Sequence, residues 1–281
     1  MVTKQRHVHL VTDSTADIPK HIQQELNIAV VPLSVTFGDE TFLDSVDITP
    51  QQFVDRLRTV DKLPSTAQPT VEQFAAEFQK GIDAGLDVLC ITISSQLSGT
   101  VNSARLAAEQ VGADRVHIID SRIATMQLGW MVIETARAIE GGATFQEAIA
   151  TAEHANPRCF CFAVLQTLDY AYKGGRIGRA SHMVGSALGI KPVVGFDGVL
   201  VPYERVRTWK KALNRAIELA SSKGEVLDVA ILHADNLEDA LKVKQEMISR
   251  FPNANIIVDW AGTTVSTYAG PGAVGIMIRT R

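Results

Sequence analysis

Short β-branched runs and longer 3.6-period stretches alternate along the chain. Residues 8–12, 28–37, 88–93 and 116–120 read as strands, the first and third as near-continuous apolar runs of the kind buried in parallel sheets. Helical patterns follow from 50 to about 60, from 70 onward, at 101–111, at 126–140 and from 145. Three of these helices carry a start signal. Thr49, Thr70 and Thr144 each stand three residues before Gln52, Gln73 and Glu147, the spacing of a reciprocal capping box. Pro50 adds a preset first-turn φ to the first of them. Gly141-Gly142 marks a helix end. A turn at Gly38-Asp-Glu-Thr41 folds the second extended run back as a hairpin. Leu63-Pro-Ser-Thr-Ala-Gln-Pro69 reads as a stiff loop between two helices.

The second half has fewer helices per strand. Residues 158–165 form a strand that places Cys159 and Cys161 on one face, as core thiols. A short helix runs into Lys173-Gly-Gly-Arg176. Residues 191–202 read as two strands turned at Asp197-Gly198, a strong hairpin signal. Helices at 208–221 and 237–251 alternate with strands at 226–233, 256–260 and 273–278. Strand–helix alternation in the first half predicts a three-layer α/β/α domain around a parallel sheet, and the second half a two-layer α/β domain. The expected boundary divides 1–156 from 157–281.

Composition changes this picture little. The chain has 281 residues and 46% hydrophobic content, ample for two cores. No apolar run nears the ~20 residues of a membrane span, and Met1-Val-Thr-Lys-Gln-Arg-His7 lacks a signal-peptide shape. Three cysteines without a C-x-x-C pair fit a reducing compartment, so a cytoplasmic location is expected. A net charge of -4 gives no general attraction to nucleic acid or membrane. Its distribution is uneven, however. Nine Lys or Arg face only Asp197 and Glu204 between Lys173 and Arg215. That segment reads either as a docking face for an acidic partner or as a solvated surface.

The candidate chemistry lies at strand ends. Thr92-Ile-Ser-Ser-Gln-Leu-Ser-Gly-Thr100 joins a strand to a helix, where free N–H groups and hydroxyls suit a carboxylate or phosphate. The same residues also serve as plain caps, through Ser98 or Thr100. Asp13, after the first strand, reads as a phosphotransfer nucleophile or as part of a loop leading to a helix cap at Asp17, with Pro19 in the first turn. The second acid usual in that chemistry is absent. No G-x-G-x-x-G follows the first strand, and there is no Walker A sequence, nucleophile elbow or H-x-x-x-H pair. Gly185-Ser186-Ala-Leu-Gly189 lacks the elbow spacing. His233, at a strand end, reads as a site residue or as a simply hydrogen-bonded histidine.

Seven segments in order resemble the DegV family of bacterial fatty-acid-binding proteins. They are Asp13-Ser-Thr-Ala-Asp17, Ser65-Thr-Ala-Gln-Pro69, Ser94-Ser-Gln-Leu-Ser-Gly-Thr100, Lys173-Gly-Gly-Arg-Ile177, Arg205-Val-Arg207 with Lys210-Lys211, His233-Ala-Asp235 and Gly270-Pro-Gly272. The resemblance implies an α/β chain of two domains, a three-layer parallel-sheet domain and a two-layer domain with a mixed sheet. A long-chain fatty acid would lie in an apolar tunnel between them. It implies carboxylate contacts from Thr66, Ser94 and Ser95, and from position 268. There the family's histidine is replaced by Tyr268, which donates one hydrogen bond but carries no positive charge at neutral pH. Ala67 likewise replaces a family serine. No cofactor and no catalysis are implied. The carrier would present its carboxylate to a separate fatty acid kinase subunit, with Arg176, Arg207, Lys210 and Lys211 at the docking surface. Neither arginine sits in an apolar run, so neither is expected to line the tunnel. The competing readings are a phosphotransferase or hydrolase using Asp13 and Ser95, and a lipid-sensing regulator.

Overall fold

The structure is a computed structural model that describes residues 7–183 and 189–281. Gly185 and Ser186 lie outside the described residues. The first half is built on a four-stranded parallel sheet. Its order is Ala29–Val31, Val8–Asp13, Asp87–Thr92 and Val116–Asp120. Helices Val71–Asp83 and Thr100–Val111 cover one face through Phe74, Phe78, Ala104 and Ala107. Helices Thr125–Glu140 and Phe145–Ala155 cover the other. All three expected capping boxes form, at Thr49, Thr70 and Thr144. Each satisfies backbone donors that a helix start leaves free.

The second half is a six-stranded mixed sheet. Its order is Val199–Val206, Lys191–Asp197, Cys159–Val164, Val274–Thr280, Val226–His233 and Asn255–Trp260. Only the last pair is parallel. Helices Trp209–Ser221 and Leu237–Arg250 pack on one face. The opposite face meets Thr125–Glu140, the helix already packed on the parallel sheet. Most of this helix is buried, and its core joins Leu10 and Leu89 from one sheet to Cys161 and Met277 from the other. Trp130 Nε1 donates to Met277 O at 3.0 Å, and Gln127 Nε2 to Cys159 O at 2.9 Å. One of the core clusters therefore runs through both halves.

Three elements differ from the sequence expectation. The run 28–37 is two strands in different sheets. Pro32, lacking an N–H, breaks the ladder, and Leu33 N turns to Ser14 Oγ at 3.1 Å. The loop 63–69 contains a strand, Ser65–Ala67, paired with Ser34–Phe37 in a three-stranded antiparallel sheet completed by Glu40–Leu43. A short helix, Thr263–Ala269, follows the last parallel strand and carries Tyr268. Among the described residues, no helix is long and apolar enough to cross a membrane.

Candidate functional site

A cavity opens between the mixed sheet, the long shared helix and the short helix Thr263–Ala269. Its floor is apolar: Cys161, Ala163, Val194, Phe196, Leu232 and Met277 come from the sheet, with Ile93, Ala124, Ala261 and Val265 around them. Two small residues of this floor, Ala163 and Gly275, stand opposite one another in register. Polar groups gather in one part of the wall. Thr66 Oγ1 and the Tyr268 phenol lie 2.5 Å apart and share a hydrogen bond. The Arg176 guanidinium lies over the Tyr268 ring, 5.2 Å from its centroid. Arg176 Nε donates to Leu97 O at 3.2 Å, next to Ser98, which also lines the cavity.

Each of these groups is positioned by its element. Thr66 is held in strand Ser65–Ala67 by pairing with Val35. Gln68, two residues on, packs against Gly99 and donates from Nε2 to Ser103 Oγ at 3.0 Å. This ties the Thr66 strand to the start of helix Thr100–Val111. Tyr268 packs against Gly174, where an added Cβ would come within 2.5 Å of its ring. That close approach brings the Gly174-Gly175-Arg176 turn onto the ring.

The helix bearing Tyr268 is anchored by two carboxylates from the first half. Asp44 is buried, and its oxygens accept from Thr263 N at 3.0 Å, Thr263 Oγ1 at 2.7 Å and Thr264 N at 3.4 Å. They also accept from the hydroxyls of Ser14 and Ser45. Asp17 accepts from Gly262 N at 3.1 Å and from Thr125 Oγ1 at 2.7 Å. Burial pushes the Asp17 carboxyl well above its ordinary range, with Thr125 pulling the other way.

The serine pair is placed differently from the threonine and the tyrosine. Ser94 is buried, and its hydroxyl donates to Gly198 O in the tip of the 191–206 hairpin while accepting from Gln96 N. It bridges the two halves. Ser95 is exposed, with its N–H bonded to Asp120 Oδ1 at 3.1 Å. Neither is part of the cavity lining. The helix start is not capped by Ser98 or Thr100 either. Gly99 is the N-cap, and the two hydroxyls bond each other at 2.9 Å. Arg176 departs from expectation in the opposite sense, for its guanidinium lines the cavity. Sequence context could not reveal this, because tertiary packing of the turn on Tyr268 puts it there. Arg207, Lys210 and Lys211 are exposed.

Asp13 is fully buried and its oxygens are occupied. Oδ1 accepts from Thr15 N at 3.0 Å and from Thr15 Oγ1 at 2.5 Å, and Oδ2 accepts from Ile93 N at 2.8 Å. It thereby fixes two cavity-lining residues, Thr15 and Ile93. Burial raises its pKa from 3.8 to about 6, against the lowering effect of these hydrogen bonds. The folded state therefore keeps this proton at pH values where the unfolded chain has lost it. Stability from this group is highest below about pH 4 and declines as pH rises towards 6, by on the order of 3 kcal/mol. Asp13→Asn is expected to remove that slope. Denaturant unfolding of both proteins between pH 4 and pH 7 measures it, and parallel profiles would contradict the assignment.

Among the described residues, no group of three or more His, Cys, Asp or Glu is arranged to hold a metal ion. His9, one of the two alternating N-terminal histidines, is bonded to Glu77 at 2.9 Å.

Comparison with known proteins agrees with this architecture. The DegV family model matches residues 7–281. Protein DegV of Bacillus subtilis is 33% identical over 278 residues, covering 96% of this chain and 98% of that protein. The fold superposes on a fatty-acid-binding DegV family protein from Thermus thermophilus with a TM-score of 0.91 at 31% identity, covering 99% of this chain and 100% of the other. A stearic acid-binding protein from Eubacterium ventriosum gives a TM-score of 0.87 at 27% identity, covering 97% and 98%. A shared sequence pattern over nearly the full length, on a shared fold, places this chain in the DegV family.

Proposed function

We propose that this protein binds a long-chain fatty acid in the cavity between its two halves. The observation that carries the reading is an apolar cavity whose polar wall gathers the Thr66 and Tyr268 hydroxyls beside the Arg176 guanidinium. Such a wall suits a carboxylate, and the apolar floor suits an acyl tail. Burying one methylene yields about 0.8 kcal/mol, so a sixteen-carbon tail contributes on the order of 11 kcal/mol before ordering costs. The carboxylate then needs only enough hydrogen bonds to offset its desolvation. Thr66, Tyr268 and Ser98 would supply donors, and Arg176 the positive charge that Tyr268 does not. Binding by relatives from Thermus thermophilus, Bacillus subtilis and Eubacterium ventriosum supports the same ligand class.

In this reading the protein is a non-catalytic carrier. A nucleophilic Asp13 is disfavoured, because both its oxygens already accept hydrogen bonds in a buried site. Solvent extraction of purified protein followed by mass spectrometry tests the reading. One fatty acid per chain is expected. A chain that is empty, and that binds no added fatty acid, would refute it.

The carrier would present its head group to a separate kinase that forms an acyl phosphate. The exposed Arg207, Lys210 and Lys211 form the basic face for that partner. Reversing all three charges to glutamate is expected to slow acyl phosphorylation about tenfold or more while leaving fatty-acid affinity unchanged. Paired measurements of affinity and phosphorylation rate separate the two. An unchanged rate would make the basic segment a solvated face.

A further inference from the structure

Strand Asn255–Trp260 ends the mixed sheet, and among the described residues no strand lies beyond it. Its middle, Ile256-Ile257-Val258, carries no proline, charge or bulge, the devices that usually blunt a free edge. The opposite edge of the same sheet is blunted. Val199–Val206 has a register break between Pro202 and Glu204 and packs against the helical turn Gly178–Met183.

Helix Leu237–Arg250 lies over the free edge. It packs on strands Val226–His233 and Asn255–Trp260, whereas Trp209–Ser221 packs on strands further in. Ala240, Val243 and Met247 face the sheet, together with Ile256 and Val258 of the edge strand. Asp239 accepts from Trp209 Nε1 at 2.8 Å, which marks the flank turned to the neighbouring helix. Leu237, Leu241 and Ile248 stand about half a turn round from Asp239, on the flank that looks out past the edge strand. They are exposed, at 51%, 44% and 39%. Among the described residues, no other element leaves more than one large apolar side chain exposed. An apolar flank thus runs beside an unblunted strand edge.

We propose that this face pairs two copies of the chain about a two-fold axis. The edge strands Asn255–Trp260 join antiparallel, so that the six-stranded sheet continues into the copy. The same axis sets the two Leu237–Arg250 helices antiparallel, with Leu241 of one copy against Ile248 of the other. Charge complements that orientation. The helix carries Glu238 and Asp239 in its first turn and Arg250 in its last, so each acidic start meets a basic end. A second copy supplies the matching strand, the matching apolar flank and the matching charges at once, by symmetry. None of these residues lines the acyl cavity, so the pairing is independent of the acyl-binding reading.

The test is the mass of the full chain in solution, measured by sedimentation velocity over a range of chain concentrations. A dimer is expected at micromolar concentration. The double variant Leu241→Glu, Ile248→Glu is expected to weaken association about a hundredfold, by placing charge at the centre of the interface. Both positions are exposed, so its thermal melting should match the parent's. Leu106→Glu is the control. That leucine is exposed on helix Thr100–Val111, beside the edge strand Val116–Asp120 of the other sheet, and its replacement should leave the dimer intact. Amide hydrogen exchange over 255–260 is expected to be slower in the parent than in the double variant, because the joined strands protect it. A parent that stays monomeric would leave this face to a different partner and overturn the proposal. So would a dimer that survives the double substitution, or one whose 255–260 amides exchange as fast as in the variant.

Discussion

An Asp44→Ala variant is expected to lose about 4 kcal/mol of folding stability, the largest single effect foreseen here. The carboxylate is buried and accepts from two backbone N–H groups and three hydroxyls. Alanine leaves the N–H groups of Thr263 and Thr264 without an acceptor at the start of helix Thr263–Ala269. Each buried donor left unpaired costs about 1–3 kcal/mol, and the hydroxyls add to that. Asp44→Asn retains one acceptor oxygen and is expected to lose about half as much. Denaturant unfolding with an unchanged m-value is the measurement. A loss under about 1 kcal/mol would show that the helix is held by its packing alone. The consequence reaches the cavity, because this helix carries Val265 and Tyr268 into its wall.

Removing the head-group hydroxyls is expected to produce the largest effect on binding. Thr66→Ala and Tyr268→Phe should each weaken acyl affinity by about 1–3 kcal/mol, the usual loss when a bound anion loses a donor. Tyr268→Phe keeps the aromatic face on which Arg176 lies, so it isolates the phenol hydroxyl from the stacking. The two hydroxyls are bonded to each other at 2.5 Å, so their effects should not add. The double variant is expected to lose less than the sum of the singles. Calorimetric titration with a saturated fatty acid, beside thermal melting of each variant, resolves the cycle. Unchanged affinity in both single variants would remove Thr66 and Tyr268 from the head-group site.

The elements themselves were legible because their signals are local. A capping box is complete within four residues, so Thr49, Thr70 and Thr144 announced their helices regardless of tertiary context. Asp197-Gly198 announced its hairpin because glycine accepts the positive φ that the turn needs, here 73°. The fold class followed from the order of strands and helices. Thr66 and Tyr268 could be named as partners in one site only through likeness to a family, because 202 residues separate them in sequence.

What the sequence could not contain was the assignment of side chains to surfaces that exist only after folding. Ser94 and Ser95 sit in a pattern that suits an anion, yet the register of the 191–206 hairpin gives Ser94 a carbonyl at Gly198 instead. Arg176 lies in a polar turn, yet Gly174 lets that turn close on the Tyr268 ring and swing the guanidinium to the cavity. Asp13, Asp17 and Asp44 look like ordinary loop acids until the chain packs. Asp13 is buried within the first half by Thr15 and Ile93, whereas Asp17 and Asp44 bond donors 245 and 219 residues away. Local structure is set by short-range sterics and hydrogen bonding, which the residue order encodes directly. The cavity is set by which faces of two sheets a single, largely buried helix, Thr125–Glu140, holds together, and only the packed chain decides that.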